Sequence, residues 1–143
     1  MKTYLILAIA AALVLAGLYM LASPPAGGPD ARAALSPGDT IVEVKMPELA
    51  GNELLGQNVF RAKCAACHGQ NAGGIEGSGP PLIHRIYEPN HHGDMAIVLA
   101  AERGVQSHHW RFGNMPPVQG VTRADLLPVI DFIRRVQKEN GIY

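Results

Sequence analysis

The chain has few of the residues that usually build or staple a small domain. Its 143 residues include two cysteines, one tryptophan and three phenylalanines, and aromatic side chains make up 6% of the total. Two cysteines are too few for the disulfide framework of a cysteine-rich secreted scaffold. A domain of about 100 residues with so few Phe and Trp side chains can gain apolar bulk for its core from a bound group.

Neither sign of charge is in excess. Lys and Arg together number 12, Asp and Glu also number 12, and the formal net charge at pH 7 is zero. Nucleic-acid-binding domains usually carry a basic excess that neutralises phosphates. We therefore expect no nucleic-acid partner, and little long-range steering of any partner by net charge.

What the chain does have is one highly specific motif, Cys64-Ala65-Ala66-Cys67-His68, which uses both of its cysteines. Cys-x-x-Cys-His is the attachment site of a c-type haem. Positions i, i+3 and i+4 share one helical face, so one turn can hold both thiols toward the porphyrin vinyl groups and direct His68 to the iron. A zinc site would need more ligands nearby, and a thioredoxin-like dithiol would need a βαβ pattern that is missing. The motif predicts one covalently bound haem c.

An uncharged, predominantly apolar run covers residues 4–22 and follows one basic side chain, Lys2. The run is nearly long enough to cross a bilayer, and Ser23-Pro24-Pro25 after it is a poor cleavage site. The pattern favours a transmembrane anchor over a cleaved signal peptide, with the N-terminus in the cytoplasm. Either way the rest of the chain is exported. We expect a bacterial cytoplasmic-membrane protein whose haem domain lies in the periplasm.

The composition divides the chain into three parts. A membrane segment at 1–22 is followed by a linker rich in Pro, Gly and Ala at 23–39 and by one domain at 40–143. In the domain, apolar residues recur at helical spacing and no strand pattern persists. The sequence therefore predicts a mostly α-helical domain with long loops rich in Gly and Pro.

Three helices of the domain have recognisable starts. Asn52 can cap a helix that runs into the haem motif, and Asp94 can cap a second. Thr122 and Asp125 form the pattern of a capping box that opens the last helix. Pro128 must either kink that helix or delay its regular part.

A sixth ligand must reach the iron from the other face of the haem, and Met115 is the leading candidate. It lies in Gly113-Asn114-Met115-Pro116-Pro117, where two prolines fix the backbone after it. A held thioether suits electron transfer and raises the reduction potential. Met46 and Met95 are alternatives, although Met95 opens an amphipathic helix, where a core role is the ordinary one.

Together these features resemble the class I cytochromes c, small all-α proteins with an N-terminal Cys-x-x-Cys-His and a later loop methionine. The resemblance covers about residues 51–140. It implies short helices and long loops wrapped around one covalent haem. It also implies that Gly56 and Phe60 let the first helix cross closely against Val129 and Phe132 of the last.

The same resemblance implies a partner for the proximal histidine. Gly79-Pro80-Pro81-Leu82 is similar to the family's Gly-Pro segment, whose proline carbonyl accepts a hydrogen bond from that histidine, so Pro80 would orient His68. The implied function is a single-electron carrier between periplasmic or membrane redox partners. Such a protein is not an enzyme by itself, although it can be a subunit of an oxidoreductase complex.

Five further histidines crowd the stretch between the two expected iron ligands: His84, His91, His92, His108 and His109. Histidine pairs in polar loops are often solvated or cap backbone groups. They could also hold copper or zinc, or one of them could replace Met115 in a bis-histidine haem. The alternative function is therefore a haem protein whose second metal serves metal handling, sensing or a redox enzyme. Trp110 and Arg111 could donate to the haem propionates, or Trp110 could be core.

Overall fold

A computed structural model of the chain describes residues 35–143, together with Leu13 and Leu15. Four α-helices follow one another in the described part: α1 (Gly51–Lys63), α2 (Ala65–His68), α3 (Asp94–Arg103) and α4 (Arg123–Glu139). A 3₁₀ turn at Arg85–Tyr87 lies between α2 and α3. The same residues contain only isolated β-bridges and no strand. The expected helical character is confirmed for this part of the chain.

The predicted membrane segment lies outside the described residues, apart from Leu13 and Leu15. No helix of the described part is long and apolar enough to cross a membrane. The compact unit that contains the helices spans Leu35–Tyr143. Near its start, the Gly38 N–H donates to the carbonyl of Glu76 at 2.9 Å, so residues just before Thr40 already contact the loop that follows the haem motif.

Helices α1 and α4 cross at a glycine. A Cβ at Gly56 would lie 1.8 Å from the Pro128 carbonyl oxygen and 2.8 Å from the Val129 nitrogen, so the two backbones are in direct contact there. One turn along α1, the rings of Phe60 and Phe132 meet with centroids 5.3 Å apart, and both are almost fully buried. The close crossing expected from Gly56 and Phe60 is present.

Helix α4 begins where its capping box predicts. The Thr122 hydroxyl accepts from the Asp125 N–H, and the Asp125 carboxylate accepts from the Thr122 N–H at 2.8 Å. Pro128 lies inside the helix, which is regular from Arg123 onward. The alternative in which the regular part begins only near Leu127 is therefore wrong. The carbonyl of Pro128 is the group that meets Gly56.

The predicted caps of α1 and α3 are wrong. Helix α1 begins after Ala50, so Asn52 lies inside its first turn. The Ala50 N–H donates to the Glu53 carboxylate at 3.4 Å. Asp94 is the first helical residue of α3, and its carboxylate accepts from Arg134 Nε at 2.8 Å instead of capping. In the first turn it still complements the helix dipole. At α3 a tertiary contact that the local sequence does not show takes up the Asp94 carboxylate.

The buried face of α4 joins two apolar clusters. One connects α4 to α1, α2 and the loop after them and contains Phe60, Ala65, Ala72, Ile83, Val129, Phe132, Ile133 and Val136. The other connects α4 to α3 and contains Val98, Ala101, Leu126 and Ile130. Because α4 takes part in both, it is the element that fixes α3 and the haem motif in one domain.

Two polar side chains of α4 hold the loop between α2 and α3. Gln137 is 1% exposed, and its amide donates to the carbonyls of Leu82 at 2.9 Å and Tyr87 at 3.1 Å. The Arg134 guanidinium donates to the carbonyls of Tyr87 and His92. Buried polar groups are normally paired in this way, and here the pairing fixes a long loop that carries three histidines.

Candidate functional site

The haem motif folds as a single turn. Helix α2 (Ala65–His68) begins directly after Cys64, whose carbonyl accepts from Cys67 N at 3.2 Å and from His68 N at 3.0 Å. Both cysteines are free thiols, with Cys67 exposed and Cys64 partly buried. One turn therefore carries the two thiols and the histidine, as the spacing of the motif predicts.

The protonation of Cys64 bears on the alternatives to haem. Burial raises the pKa of the Cys64 thiol to about 11, and the neighbouring Cys67 adds to the rise. At neutral pH the side chain is a protonated thiol. Zinc sites and redox dithiols use the thiolate, which this environment disfavours.

His68 is prepared as a ligand by one backbone contact. Its Nδ1 lies 2.8 Å from the Pro80 carbonyl oxygen, which can only accept, so Nδ1 carries the proton and Nε2 keeps its lone pair. Burial lowers the pKa of His68, and the Pro80 hydrogen bond opposes that effect. The 8% exposed imidazole is thus neutral at pH 7 and has one nitrogen available to a metal.

The segment that carries Pro80 packs directly on the haem motif. A Cβ at Gly79 would lie 2.7 Å from the Cys67 carbonyl oxygen, so only glycine permits this approach. Ile75 and Gly79 exchange backbone hydrogen bonds at 2.9 and 3.0 Å and close a tight loop just before Pro80. Sequence reasoning did not single out Ile75, because nothing in its side chain marks a backbone partner.

Met115 lies where a second loop closes. Val105 and Met115 exchange two backbone hydrogen bonds of 2.9 Å, so residues 106–114 form a loop between fixed ends. Gly104, with φ of +77°, ends α3 there, and a Cβ on it would lie 2.5 Å from the Met115 carbonyl oxygen. The half-buried Met115 is therefore held between the end of α3 and two prolines. Sequence reasoning did not connect either Gly104 or Val105 with Met115.

The rival methionines have different surroundings. Met95 is 53% exposed in the first turn of α3, so the ordinary core role expected for it is wrong. Met46 is partly buried against the cluster that contains Phe60. Met115 is the one of the three whose backbone is paired at the closing point of a loop, which is the constraint a distal ligand needs.

Trp110 provides a test of whether the residues fit a haem. Its indole Nε1 is buried and has no hydrogen-bond partner in the described part of the chain. Burial raises the pKa of the Tyr87 hydroxyl, and the Trp110 N–H opposes that rise. The indole N–H nevertheless completes no hydrogen bond with Tyr87. A buried N–H without an acceptor is costly. A haem propionate is the kind of acceptor that would satisfy it.

A cavity of about 510 Å³ borders Trp110. It is lined by Ile41, Glu76, Gly77, His109, Trp110, Arg111 and Phe112. Arg111 brings a guanidinium to the same cavity, and Gly77 belongs to the loop that leads to Pro80. The unsatisfied indole and the cationic side chain suit the acidic substituents of a haem, and the prepared His68 suits its iron, although His68 is not among the residues that line this cavity.

The remaining histidines do not form one group. One candidate ligand nitrogen from each of His91, His92 and His109 lies within 4.8 Å of the other two. His108 packs on His109 with ring centroids 4.3 Å apart. His84 is not a member of that group: its Nδ1 accepts from the Ile86 N–H at 3.2 Å as the cap of the 3₁₀ turn, and its ring packs edge-on against Trp110 with centroids 5.1 Å apart.

The grouping affects protonation. Removal from water, followed by the charges of His108, His92 and His91, lowers the pKa of His109. Its imidazole therefore favours the neutral state at pH 7.

A protein-family model described as Cytochrome c matches residues 54–137, which is more than half of the 143-residue chain. The matched segment contains Cys64, Cys67, His68, Pro80 and Met115. No curated protein matches the chain.

Proposed function

Because the chain belongs to the cytochrome c family, we propose that it carries single electrons on one covalently bound haem c between redox proteins at or near a membrane. The family match supports a haem-based electron-transfer protein. One observation carries the assignment of the residues: the one-turn Cys-x-x-Cys-His motif presents a neutral His68 whose Nδ1 is bound to Pro80 at 2.8 Å. Bound haem supplies an Fe(II)/Fe(III) couple that exchanges one electron.

The chain's own residues hold and tune that group. Cys64 and Cys67 would each add S–H across one vinyl group, with the sulfur and the hydrogen going to the two vinyl carbons. His68 would bind the iron through Nε2, while Pro80 holds its proton on Nδ1. Met115 would be the second protein ligand of the iron, because the Val105 pairing keeps its backbone in place. A haem held by both residues would supply one-electron chemistry without a substrate site.

We expect Met115→Ala to lower the reduction potential and to open the iron to imidazole or carbon monoxide. Loss of the thioether should shift the potential by on the order of 0.1 V, within the roughly 0.8 V range that axial ligands span. Spectroelectrochemical titration measures the shift. The oxidised wild type should also show a weak sulfur-to-iron band in the far red that the variant lacks.

Met95→Ala is the matched control for this experiment, since Met95 is an exposed methionine in the same domain. It should keep both the band and the potential. The assignment would be wrong if Met115→Ala retained the band and either Met95→Ala or Met46→Ala lost it. The methionine whose substitution removes the band would then be the ligand.

We further propose that residues 4–22 anchor the protein in the bacterial cytoplasmic membrane with its haem domain in the periplasm. The proposal rests on the uncharged apolar run and on Lys2 before it. An anchor would confine the haem domain near a membrane-bound donor or acceptor and raise the effective concentration of both. That would replace the charge steering that a net charge of zero does not provide.

The expected result is a haem-stained mature chain in the membrane fraction that still contains residues 4–22 by mass spectrometry. Exchanging residues 1–22 for a cleavable signal peptide should release the protein into the soluble periplasmic fraction. A soluble wild-type protein whose chain starts near Ser23 or Ala26 would show that the segment is a signal peptide instead.

A further inference from the structure

Two loops bring together three imidazoles that the proposed electron carrier does not use as iron ligands. His91 and His92 follow the 3₁₀ turn, and His109 lies in the loop that Val105 and Met115 close. One ligand nitrogen from each of the three histidines lies within 4.8 Å of the others. We call these three residues the histidine triad.

Two members of the triad have the spacing of ligands around one small ion. The Nε2 atoms of His91 and His109 are 3.4 Å apart. Two imidazole nitrogens bound tetrahedrally to one zinc ion at about 2.0–2.1 Å would be about 3.3–3.4 Å apart. A direct N–H···N hydrogen bond is normally shorter than the observed distance.

The protonation of His92 also suits a ligand. Its Nδ1 donates to the Ile86 carbonyl oxygen at 2.7 Å, so the neutral imidazole keeps its lone pair on Nε2. A metal-binding histidine commonly donates its other ring N–H to a carbonyl in this way, which fixes both tautomer and ring orientation.

Both loops are fixed before any ion binds. The N–H groups of His91 and His92 donate to the Glu88 carbonyl at 3.0 and 2.8 Å, and the His92 carbonyl accepts from Arg134 of α4. In the other loop, Ser107 N donates to the Asn114 side chain at 2.9 Å. Little ordering of the backbone would therefore be needed on binding.

We propose that His91, His92 and His109 bind one divalent transition-metal ion, zinc or copper, in addition to the haem iron. Neutral imidazoles suit these metals, whereas magnesium and calcium require oxygen ligands. In the described part of the chain, no carboxylate belongs to the group. His91 and His109 are exposed, so the ion can enter from solvent and keep water as a further ligand. It would tie the Met115 loop to the turn that carries His92.

The test uses the full-length, haem-loaded protein without a histidine tag, kept oxidised so that copper cannot take electrons from ferrous haem. Zinc chloride and copper sulfate are titrated separately by calorimetry, and bound metal is counted after dialysis. We expect one equivalent of at least one metal per chain. His91→Ala, His92→Ala and His109→Ala should each weaken binding by more than about tenfold, because loss of even an outer-shell partner costs about 10- to 100-fold.

His108→Ala is the matched control, because His108 adjoins His109 but lies outside the triad. It should bind metal within about twofold of the wild type, a margin below the 10- to 100-fold cost of disturbing a site. The haem spectrum of each variant shows whether the domain is still folded. His109→Gln, which keeps side-chain volume and polarity, must lose binding as His109→Ala does.

The proposal is overturned if neither metal binds saturably, if triad variants bind as the wild type does, or if His108→Ala loses binding equally. Hydrogen exchange gives a second readout that does not use the haem. The saturating metal should slow amide exchange in residues 86–92 and 106–114 of the wild type and not of His109→Ala. Because His91→Ala changes a residue that does not line the cavity beside Trp110, it should still accept and release electrons, and failure of the triad leaves the electron-carrier proposal intact.

Discussion

Haem staining after denaturing electrophoresis should disappear when Cys64 and Cys67 are both replaced by alanine. The thioethers are the only bonds that survive denaturation, and the chain has no other cysteine to form them. The double variant should also lose most of its helical circular dichroism, because a bound group that stabilises only the folded state contributes strongly to stability. Few large apolar side chains remain to replace it: the clusters described above contain two phenylalanines.

Single variants and a neighbouring substitution serve as controls. Cys64→Ala and Cys67→Ala each leave one thiol and should keep weaker staining, whereas Ala66→Ser changes an exposed residue inside the motif and should stain as the wild type does. A double variant that binds haem only until it is denatured would agree with the assignment, since His68 and Met115 remain. Staining that survives denaturation in the double variant would contradict the attachment site.

The parts of the fold that the sequence predicts are those that short-range chemistry decides. The one-turn haem motif follows from the i, i+3, i+4 spacing, and the start of α4 follows from Thr122 and Asp125. The crossing of α1 and α4 at Gly56 was implied by family resemblance. Nothing in the local sequence of α1 tells which backbone will meet that glycine.

The parts that the sequence does not predict depend on contacts between distant residues. The Asp94 carboxylate pairs with Arg134, 40 positions away, and so does not cap α3. Met95 belongs to an apolar pattern but lies on the exposed side of α3. Only the tertiary structure shows which partner the Asp94 side chain has and that the Met95 side chain is exposed.

The histidines illustrate the same limit. Their number and pairing in the sequence favour a metal site, but the sequence does not tell which of the five histidines would be its ligands. In the structure His84 uses its Nδ1 to cap a turn, whereas His91 and His109, 18 positions apart, bring their Nε2 atoms together. Which histidines come together depends on two tertiary features: α4 holds the loop that carries His91 and His92, and the pairing of Val105 with Met115 closes the loop that carries His109. The membrane segment at 4–22 stays a prediction of the sequence alone.

Gly56→Ala should destabilise the haem-loaded protein by about 3 kcal/mol, although alanine is the better helix former by about 1 kcal/mol at an open position. The new Cβ would lie 1.8 Å from the Pro128 carbonyl oxygen, which belongs to backbone and cannot rotate away. The two helices would have to separate, and the Phe60–Phe132 contact would open with them. Denaturant unfolding of wild type and variant gives the difference in free energy of unfolding.

Asn58→Ala is the control for helix propensity, because Asn58 is exposed on the same helix two residues away. It should leave the stability unchanged or raise it by a few tenths of a kcal/mol. The two substitutions therefore have opposite expected signs, although both introduce alanine into α1. A Gly56→Ala protein as stable as the wild type would mean that α1 and α4 do not touch at Pro128, and the packing that places the haem motif beside α4 would have to be different.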